Sequence, residues 1–309
     1  MRPRYGLALL LFLLTFFTTT TLGAVFLIQT RTDIFWSLMP WLSGASIRAV
    51  WNDPALLGLG LRFSLAVLGI LLVHELGHYL TCRRYGLPAT LPYFLPAPFG
   101  IGTVGAFIKI QAPIRSKREL FDVGASGPFA GFVALLPFLF IGLARSRPVP
   151  LADAVIPAGA GGAATILIPG RSLAFDFVAR LFHGPLPEGT VLDLHPFALA
   201  AWFGLLATAI NLLPLGQLDG GHILYAATGR LQRRVALPLW GALALASFIW
   251  PGWIFWTAIV LLMGLRHPPV RDEAEPLDRG RQVLAALALL LFVLCFMPVP
   301  IREVALGAP

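Results

Sequence analysis

The sequence predicts an all-α polytopic membrane protein with about six to seven transmembrane helices and a short membrane-embedded extended hairpin or re-entrant loop. Of its 309 residues, 57% are hydrophobic and 12% are charged, and the mean hydropathy is +0.80. Soluble domains usually carry about 25% charged residues, so this composition favours a membrane protein. The net charge of +8 comes from short basic clusters beside apolar runs. This arrangement indicates membrane topology rather than binding to nucleic acid.

Seven apolar runs are candidate membrane spans. The first, at 7–28, follows two arginines and lacks a clear small-residue cleavage site, so we expect a retained helix rather than a signal peptide. The others lie at 56–80, 121–143, 197–215, 235–249, 252–265 and 283–297. Between the third and fourth runs, 157–170 is predicted to be a glycine-rich loop. Residues 172–182 are predicted to form a short amphipathic helix capped by Ser172.

The second run ends in the motif His74-Glu75-Leu-Gly-His78. On a helix, His74 and His78 lie one turn apart with about 6 Å between their Cβ atoms, so both imidazoles can bind one zinc ion. Glu75 then lies beside the metal, where its carboxylate can take a proton from a water that zinc has acidified to a pKa of roughly 7. A chance match is disfavoured because unpaired ionisable groups in an apolar span cost free energy. The motif therefore predicts a zinc hydrolase site.

A second polar group of residues lies at the end of the fourth run, between Asn211 and His222. Pro214 and the nearby glycines are expected to break the helix here. Asp219 can supply the third protein ligand of a catalytic zinc, and Asn211 can donate a hydrogen bond to a substrate carbonyl or a developing oxyanion. His222 is a reserve ligand, but we expect it to form a local hydrogen bond instead.

The stretch 91–113 is apolar, yet it is too rich in proline and glycine for a spanning helix. Within it, 102–110 is predicted to form a strand whose open edge could hold an unwound substrate segment by strand addition. A packed interfacial loop with no substrate role explains the stretch equally well. The residues assigned to substrate binding are Gly102, Thr103, Val104, Gly105, Ala106 and Phe107.

The basic clusters predict a cytoplasmic N-terminus under the positive-inside rule. With about seven alternating spans, the cytoplasmic side then receives the clusters at 83–84, 115–118, 230–234 and 266–271. The second and fourth runs cross in the same direction. Their inner ends carry His74 and His78 on one run and Asp219 on the other, so the three ligands are predicted to lie at a similar depth.

These motifs together resemble those of the site-2 protease family of intramembrane zinc metalloproteases. His74-Glu75-x-x-His78 is similar to the first motif of the family, and Asn211-x-x-Pro214 with Leu218-Asp219-Gly220 is similar to the last. Gly127-x-x-x-Gly131 fits the intervening glycine motif, with Gly131 where many members have asparagine. The resemblance covers about 71–229. It is strongest to the subgroup without a PDZ domain that is found in cyanobacteria and plant plastids.

The resemblance implies a metalloendopeptidase that performs regulated intramembrane proteolysis. It implies one Zn²⁺ per chain bound by His74, His78 and Asp219, with Glu75 and Asn211 as catalytic residues. The expected partner is a single-pass membrane protein, such as a membrane-anchored transcriptional regulator, within the lipid bilayer and without nucleic acid. We expect residues 1–309 to form one integral membrane domain with a catalytic core of about 56–229 and additional spans at 7–28 and 235–298. No plastid transit peptide precedes the first run, so we expect a prokaryotic inner or plasma membrane.

Two other functions are compatible with parts of the sequence. A zinc protease of another membrane family would process soluble or lipidated peptides at the membrane surface, but it would normally use a glutamate as the third ligand. A membrane transporter or cation-binding protein could use the broken helix at 211–221 to bind its ion. The transporter hypothesis leaves Glu75 without a role.

Overall fold

The computed structural model describes residues 5–29, 42–151, 165–229, 231–273 and 276–305. The helices in these ranges are α1 Tyr5–Gln29, α2 Gly44–Asn52, α3 Pro54–Arg84, α4 Lys117–Arg145, α5 Leu173–His183, α6 Pro196–Asn211, α7 Asp219–Thr228, α8 Leu231–Ala246, α9 Trp253–Met263 and α10 Arg279–Cys295. The strands form three antiparallel pairs, which are β1 Tyr93–Pro96 with β2 Thr103–Phe107, β3 Arg147–Pro150 with β5 Thr190–Asp193, and β4 Thr165–Pro169 with β6 Ile301–Ala305.

In its described residues the protein is mostly helical, and three of the helices there are long and apolar enough to cross a membrane. These are α1, α3 and α4. The four later predicted spans fall on α6, α8, α9 and α10, which have 16, 16, 11 and 17 residues. A helix needs roughly 20 residues to cross a hydrocarbon core of about 30 Å. The total of six to seven spans therefore stays a prediction.

Helix α3 carries the His-Glu-x-x-His motif, and its sequence explains both of its ends. The Asp53 side chain accepts hydrogen bonds from the backbone N–H groups of Ala55 (2.8 Å) and Leu56 (3.4 Å), and Pro54 occupies the first turn. Arg83 and Arg84 lie in the last turn, where positive charge is favourable. The motif thus lies near the C-terminal end of a continuous helix of 31 residues.

Helices α1, α3, α4 and α6 form the core around the motif, with Phe63, Phe121 and Trp202 fully buried between them. Glycines allow the closest helix contacts. A Cβ atom added at Gly77 of α3 would lie 2.6 Å from the carbonyl oxygen of Ser126 on α4. Because such a contact is too short for any side chain, the glycine fixes how closely α3 and α4 approach.

The predicted extended stretch contains the hairpin of β1 and β2. Strand β2 covers part of the predicted range 102–110, and Ile110 forms an isolated bridge with Ala89. The hairpin packs against α1, where the Thr18 hydroxyl donates a hydrogen bond to the Gly102 carbonyl at 2.6 Å. Gly102 and Gly105 have φ values of +90° and +117°, which favour glycine. Membrane embedding of this hairpin stays a prediction.

The sequence did not predict the pairs of β3 with β5 and β4 with β6, so the expectation of an all-α protein with one extended hairpin was incomplete. Residues 165–169 of the predicted glycine-rich loop form β4, whereas 157–164 lie outside the described residues. The strands are short, β3 and β4 contain prolines, and the partners are distant in sequence, so no local pattern marks them. The amphipathic helix appears as α5, where Ser172 accepts a hydrogen bond from the Phe175 N–H at 3.2 Å.

Candidate metal centre

Three side chains that the sequence predicted as metal ligands converge between α3 and α7. The Nε2 atoms of His74 and His78 are 3.1 Å apart, and they lie 3.3 and 3.4 Å from the two carboxylate oxygens of Asp219. All of their candidate ligand atoms lie within 4.8 Å of one another. The two histidines are buried and Asp219 is half-buried. The group can therefore hold one metal ion.

The geometry of this group fits zinc. Zinc–nitrogen and zinc–oxygen bonds of about 2.0–2.1 Å in a tetrahedron separate neighbouring ligand atoms by roughly 3.3 Å. The two Nε2 atoms are 3.1 Å apart, and they lie 3.3 and 3.4 Å from different carboxylate oxygens of Asp219, which is close to this separation. Two imidazoles and one carboxylate form a three-ligand set typical of catalytic zinc, with the fourth position left for water or substrate.

A backbone contact fixes the tautomer of one ligand. The Nδ1 atom of His78 lies 2.7 Å from the carbonyl oxygen of Val123 on α4. A carbonyl oxygen only accepts, so Nδ1 must carry the proton and donate it. The Nε2 atom then has a free lone pair that faces His74 and Asp219. This outer contact orients the imidazole as metal-binding histidines require.

Three glycines on one face of α4 leave space for three histidine side chains. A Cβ atom added at Gly127 would overlap the His78 ring, and one added at Gly131 would lie 3.1 Å from Nδ1 of His74. At Gly124, the added atom would lie 2.7 Å from Cβ of His222. The spacing of three and four residues places these glycines on one helix face. The glycine motif predicted from sequence thus makes room for imidazoles.

Glu75 lies on α3 between the two histidines of the motif and is only 6% exposed. The backbone N–H of Ile108, the residue that follows β2, faces its carboxylate. The general-base candidate therefore lies between the metal ligands and the end of the hairpin. This position suits proton transfer to or from a group held there.

Asn211 is the last residue of α6, and its Nδ2 atom lies 3.4 Å from Nε2 of His74. The amide therefore borders the same space as the three ligand atoms. An amide nitrogen donates hydrogen bonds and does not ligate zinc, so from this position it can donate to an oxygen near the metal. The predicted role of Asn211 is compatible with this position.

The break between α6 and α7 places Asp219 at the start of a new helix. Gly216 has a φ of +55°, a conformation that side-chain-bearing residues rarely adopt. A Cβ atom added at Gly221 would lie 2.5 Å from the Gly216 carbonyl oxygen. Only glycine lets the first turn of α7 fold back this closely on the preceding turn.

The residues predicted to bind substrate lie outside the metal cluster, on β2 and at its start. Among the described residues, β2 pairs only with β1, so its other edge has no strand partner. Val104 and Phe107 are 47% and 43% exposed. The residues Gly102, Thr103, Gly105 and Ala106 complete this edge, and the Thr103 hydroxyl donates to the Leu95 carbonyl at 2.9 Å.

His267 was not identified from the sequence as a neighbour of the metal site. The reserve ligand His222 bonds to His267, with 2.7 Å between Nδ1 of His222 and Nε2 of His267. Burial, with the charges of His267 and His78, lowers the pKa of His222 to about 4 although Asp219 opposes the shift. Burial also lowers the pKa of His267. Both shifts favour the neutral form of the ring. The sequence marked the second ring only as a histidine in a polar linker.

A buried His-Glu-x-x-His site among apolar helices is typical of membrane metallopeptidases. Residues 62–239 match the family model of Peptidase family M50, and the chain therefore belongs to that family. This match confirms the resemblance found from the motifs.

Several plant proteins are similar to this chain. The "Probable zinc metalloprotease EGY2, chloroplastic" of Arabidopsis thaliana is 33% identical over 264 residues, which cover 83% of this chain and 45% of the relative. The protein of the same description from Oryza sativa subsp. indica is 31% identical over 260 residues, covering 82% and 46%. The "Probable zinc metalloprotease EGY1, chloroplastic" of Oryza sativa subsp. japonica is 30% identical over 316 residues, covering 96% and 50%. The chain thus spans about half the length of these relatives.

Proposed function

We propose that this protein is a zinc-dependent intramembrane endopeptidase. The observation that carries the proposal is the cluster of His74, His78 and Asp219 around the buried Glu75, built on a helix long and apolar enough to span a membrane. Membership of a peptidase family and the names of the relatives support the same chemistry. The substrate is a peptide bond in or near a transmembrane segment.

Zinc, when bound by these three side chains, acidifies a water molecule and polarises a carbonyl oxygen. Glu75 takes the proton from the attacking water as the water oxygen bonds to the carbonyl carbon. It then passes that proton to the amide nitrogen as the carbon–nitrogen bond breaks. Asn211 donates a hydrogen bond to the carbonyl oxygen, where negative charge develops. The buried position of Glu75 keeps bulk water away from this proton transfer.

Strand β2 is proposed to hold the substrate. A transmembrane helix satisfies its own backbone hydrogen bonds, so its peptide bonds are shielded until several residues unwind. The unwound groups then need partners at several kcal/mol each in an apolar setting. The open edge of β2 offers such partners, and the Ile108 contact with Glu75 connects its end to the catalytic base.

The proposed substrate class is a single-pass membrane protein, such as a membrane-anchored regulator whose cytoplasmic part is released by the cut. The basic clusters support a cytoplasmic N-terminus under the positive-inside rule, which places the metal centre toward the cytoplasmic side. The prokaryotic inner or plasma membrane stays a prediction from the sequence.

The substitution Glu75→Gln tests this function against the transporter alternative. The unaltered chain and the variant are reconstituted in proteoliposomes with a labelled single-pass substrate. Cleavage and zinc flux are then measured on the same samples. Loss of a general base typically costs roughly 100-fold to 10,000-fold in rate. We expect cleavage to fall by this factor while zinc content stays equal. Zinc flux that survives the substitution, without cleavage by the unaltered chain, would contradict the protease proposal.

A further inference from the structure

The 263–268 segment, from the end of α9 through Pro268, contacts the turn that precedes Asp219. The N–H of Gly216 donates to the Leu265 carbonyl at 3.2 Å. The Gln217 side chain donates to the Met263 carbonyl at 3.1 Å. Three residues after Asp219, the His222 imidazole bonds to His267. The 263–268 segment therefore contacts the chain on both sides of the third ligand, and it lies outside the residues 62–239 that match the family.

A buried side chain on α8 holds this segment in place. Gln232 is 0% exposed; its Nε2 donates to the Leu265 carbonyl at 3.3 Å and its Oε1 accepts from the His267 N–H at 3.2 Å. The His267 ring, 4% exposed, also stacks on Tyr225 of α7 with ring centroids 4.5 Å apart. Both ends of the Gln232 amide are paired. A fully paired buried network of this kind is rigid and costly to break.

The contact between His267 and the Pro268 carbonyl determines which histidine donates in the bond between His222 and His267. Nδ1 of His267 lies 2.6 Å from the Pro268 carbonyl oxygen, which only accepts, so Nδ1 carries a proton. In the neutral ring, Nε2 of His267 is then an acceptor, and Nδ1 of His222 must donate to it. The pair is a one-directional hydrogen bond from α7 to the 263–268 segment, and removing the acceptor on His267 removes it.

Helix α7 needs such support at its start. Its N-cap residue, Leu218, provides no side-chain hydrogen bond, and Gly220 and Gly221 have no side chains with which to anchor the first turn. Asp219 and His222 lie three residues apart on one helix face. Fixing His222 therefore fixes the orientation of the turn that carries the Asp219 carboxylate.

We propose that the 263–268 segment is a positioning element for the third metal ligand, with His267 as its principal positioning residue. The segment holds the turn before α7 through two backbone carbonyls and holds α7 through His222. The inference rests on the proposed zinc site. It adds a requirement for residues that lie beyond the family match and outside the group of His74, His78 and Asp219.

The test compares His267→Phe with His267→Gln in the purified full chain. Phenylalanine keeps a ring against Tyr225 but has no acceptor, whereas the Gln side-chain oxygen can replace Nε2 as acceptor. Zinc affinity is measured by chelator competition, and ligand geometry is measured from the absorption spectrum of the cobalt-loaded protein. Loss of a hydrogen-bond partner of a metal ligand typically lowers metal affinity roughly 10-fold to 100-fold. His267 acts one contact further out, through His222, so the expected loss lies at the lower end of this range. We expect this loss and an altered spectrum for His267→Phe, with both properties restored in His267→Gln.

Two further variants keep the test decisive. Gln217→Met keeps the length of an exposed side chain and removes its bond to the Met263 carbonyl without adding charge near the metal, and it should lower zinc affinity without unfolding the protein. His183→Phe removes a histidine that bonds to the Leu143 carbonyl on α4, away from the metal site, and it should leave zinc affinity unchanged.

Unchanged zinc affinity and an unchanged cobalt spectrum in both His267→Phe and Gln217→Met would overturn the inference. An equal loss in His183→Phe would also overturn it, because the effect would then be general destabilisation. If His267→Phe does not fold, the result for Gln217→Met alone decides the test. Zinc binding by the unaltered chain is the baseline. If the unaltered chain binds no zinc, both the proposed function and this inference are refuted. If it binds zinc and the variants bind zinc equally well, only the inference is refuted.

Discussion

The imidazole of His78 lies directly against Gly127 of α4, so that a Cβ atom added at position 127 would overlap Nε2, the atom that faces the metal site. The same helix face receives His74 at Gly131 and His222 at Gly124. Helix α4 contributes no metal ligand, yet its surface decides where two of the three ligands lie. Mutations on α4 can therefore disable the site without altering any residue that reacts.

The substitution Gly127→Ala should displace the His78 ring and lower both zinc occupancy and turnover. A misplacement of about 1 Å in an active site can cost roughly 100-fold in rate. Zinc per chain is measured by mass spectrometry, and cleavage is measured with a labelled membrane substrate. The matched control is Gly69→Ala on α3, where an added Cβ meets nothing within 4 Å. Equal zinc content and activity in the two variants would contradict the steric role of Gly127.

The double substitution His74→Ala with His78→Ala should abolish zinc binding, because one carboxylate remains of the three ligands. Zinc per chain should fall to the background of the assay. The control is His183→Ala, whose imidazole bonds to a backbone carbonyl and not to the metal group. One zinc per chain in the double variant would show that the metal lies elsewhere.

The substitution Asn211→Ala should lower turnover far more than zinc content. Removal of a single oxyanion donor typically costs roughly 100-fold to 1,000-fold in rate. The comparison variant is Thr208→Val, one turn earlier on α6, where the hydroxyl donates to the Gly204 carbonyl. That change should leave turnover within a small factor of the unaltered chain. An Asn211→Ala protein without metal would mean that the residue supports the zinc site and not the substrate.

The substitution Val104→Pro should impair cleavage of helical membrane substrates while zinc stays bound. Proline deletes one backbone donor of β2 and fixes φ, whereas Val104→Ala changes the side chain and keeps the N–H group. Gly105 is a poor site for the same test because its φ of +117° excludes proline. Cleavage is measured with helical and with pre-unwound peptide substrates. If Val104→Pro and Val104→Ala cleave helical substrates equally, the edge of β2 does not hold the substrate.

Local patterns in the sequence predicted the parts of the site that follow from helix geometry. His74 and His78 share a helix face because they are four residues apart, and the proline and glycines after Asn211 mark the break before Asp219. The helix that Ser172 caps could be predicted in the same way. In each case the signal lies within about ten residues of chain, where periodicity and turn chemistry operate.

The remaining features depend on contacts between distant residues. Strand β4 pairs with β6 at the far end of the chain, and no local pattern in either segment identifies its partner. His267 lies in a linker that resembles an ordinary polar loop, and its bond to His222 exists only in the folded protein. The glycines of α4 indicated close packing, but the sequence did not show that imidazoles would fill the space.

The order of the ligands along the chain has a consequence for biogenesis. His74 and His78 leave the ribosome well before Asp219, because α4 and α6 must be synthesised between them. Chains fold from the N-terminus during synthesis, and a metal site gains full affinity only when its last ligand is in place. Metal loading is then a late step that follows synthesis of the start of α7. A nascent chain that stalls before α7 would hold a metal ion with two imidazoles alone and would release it readily to the cellular zinc pool.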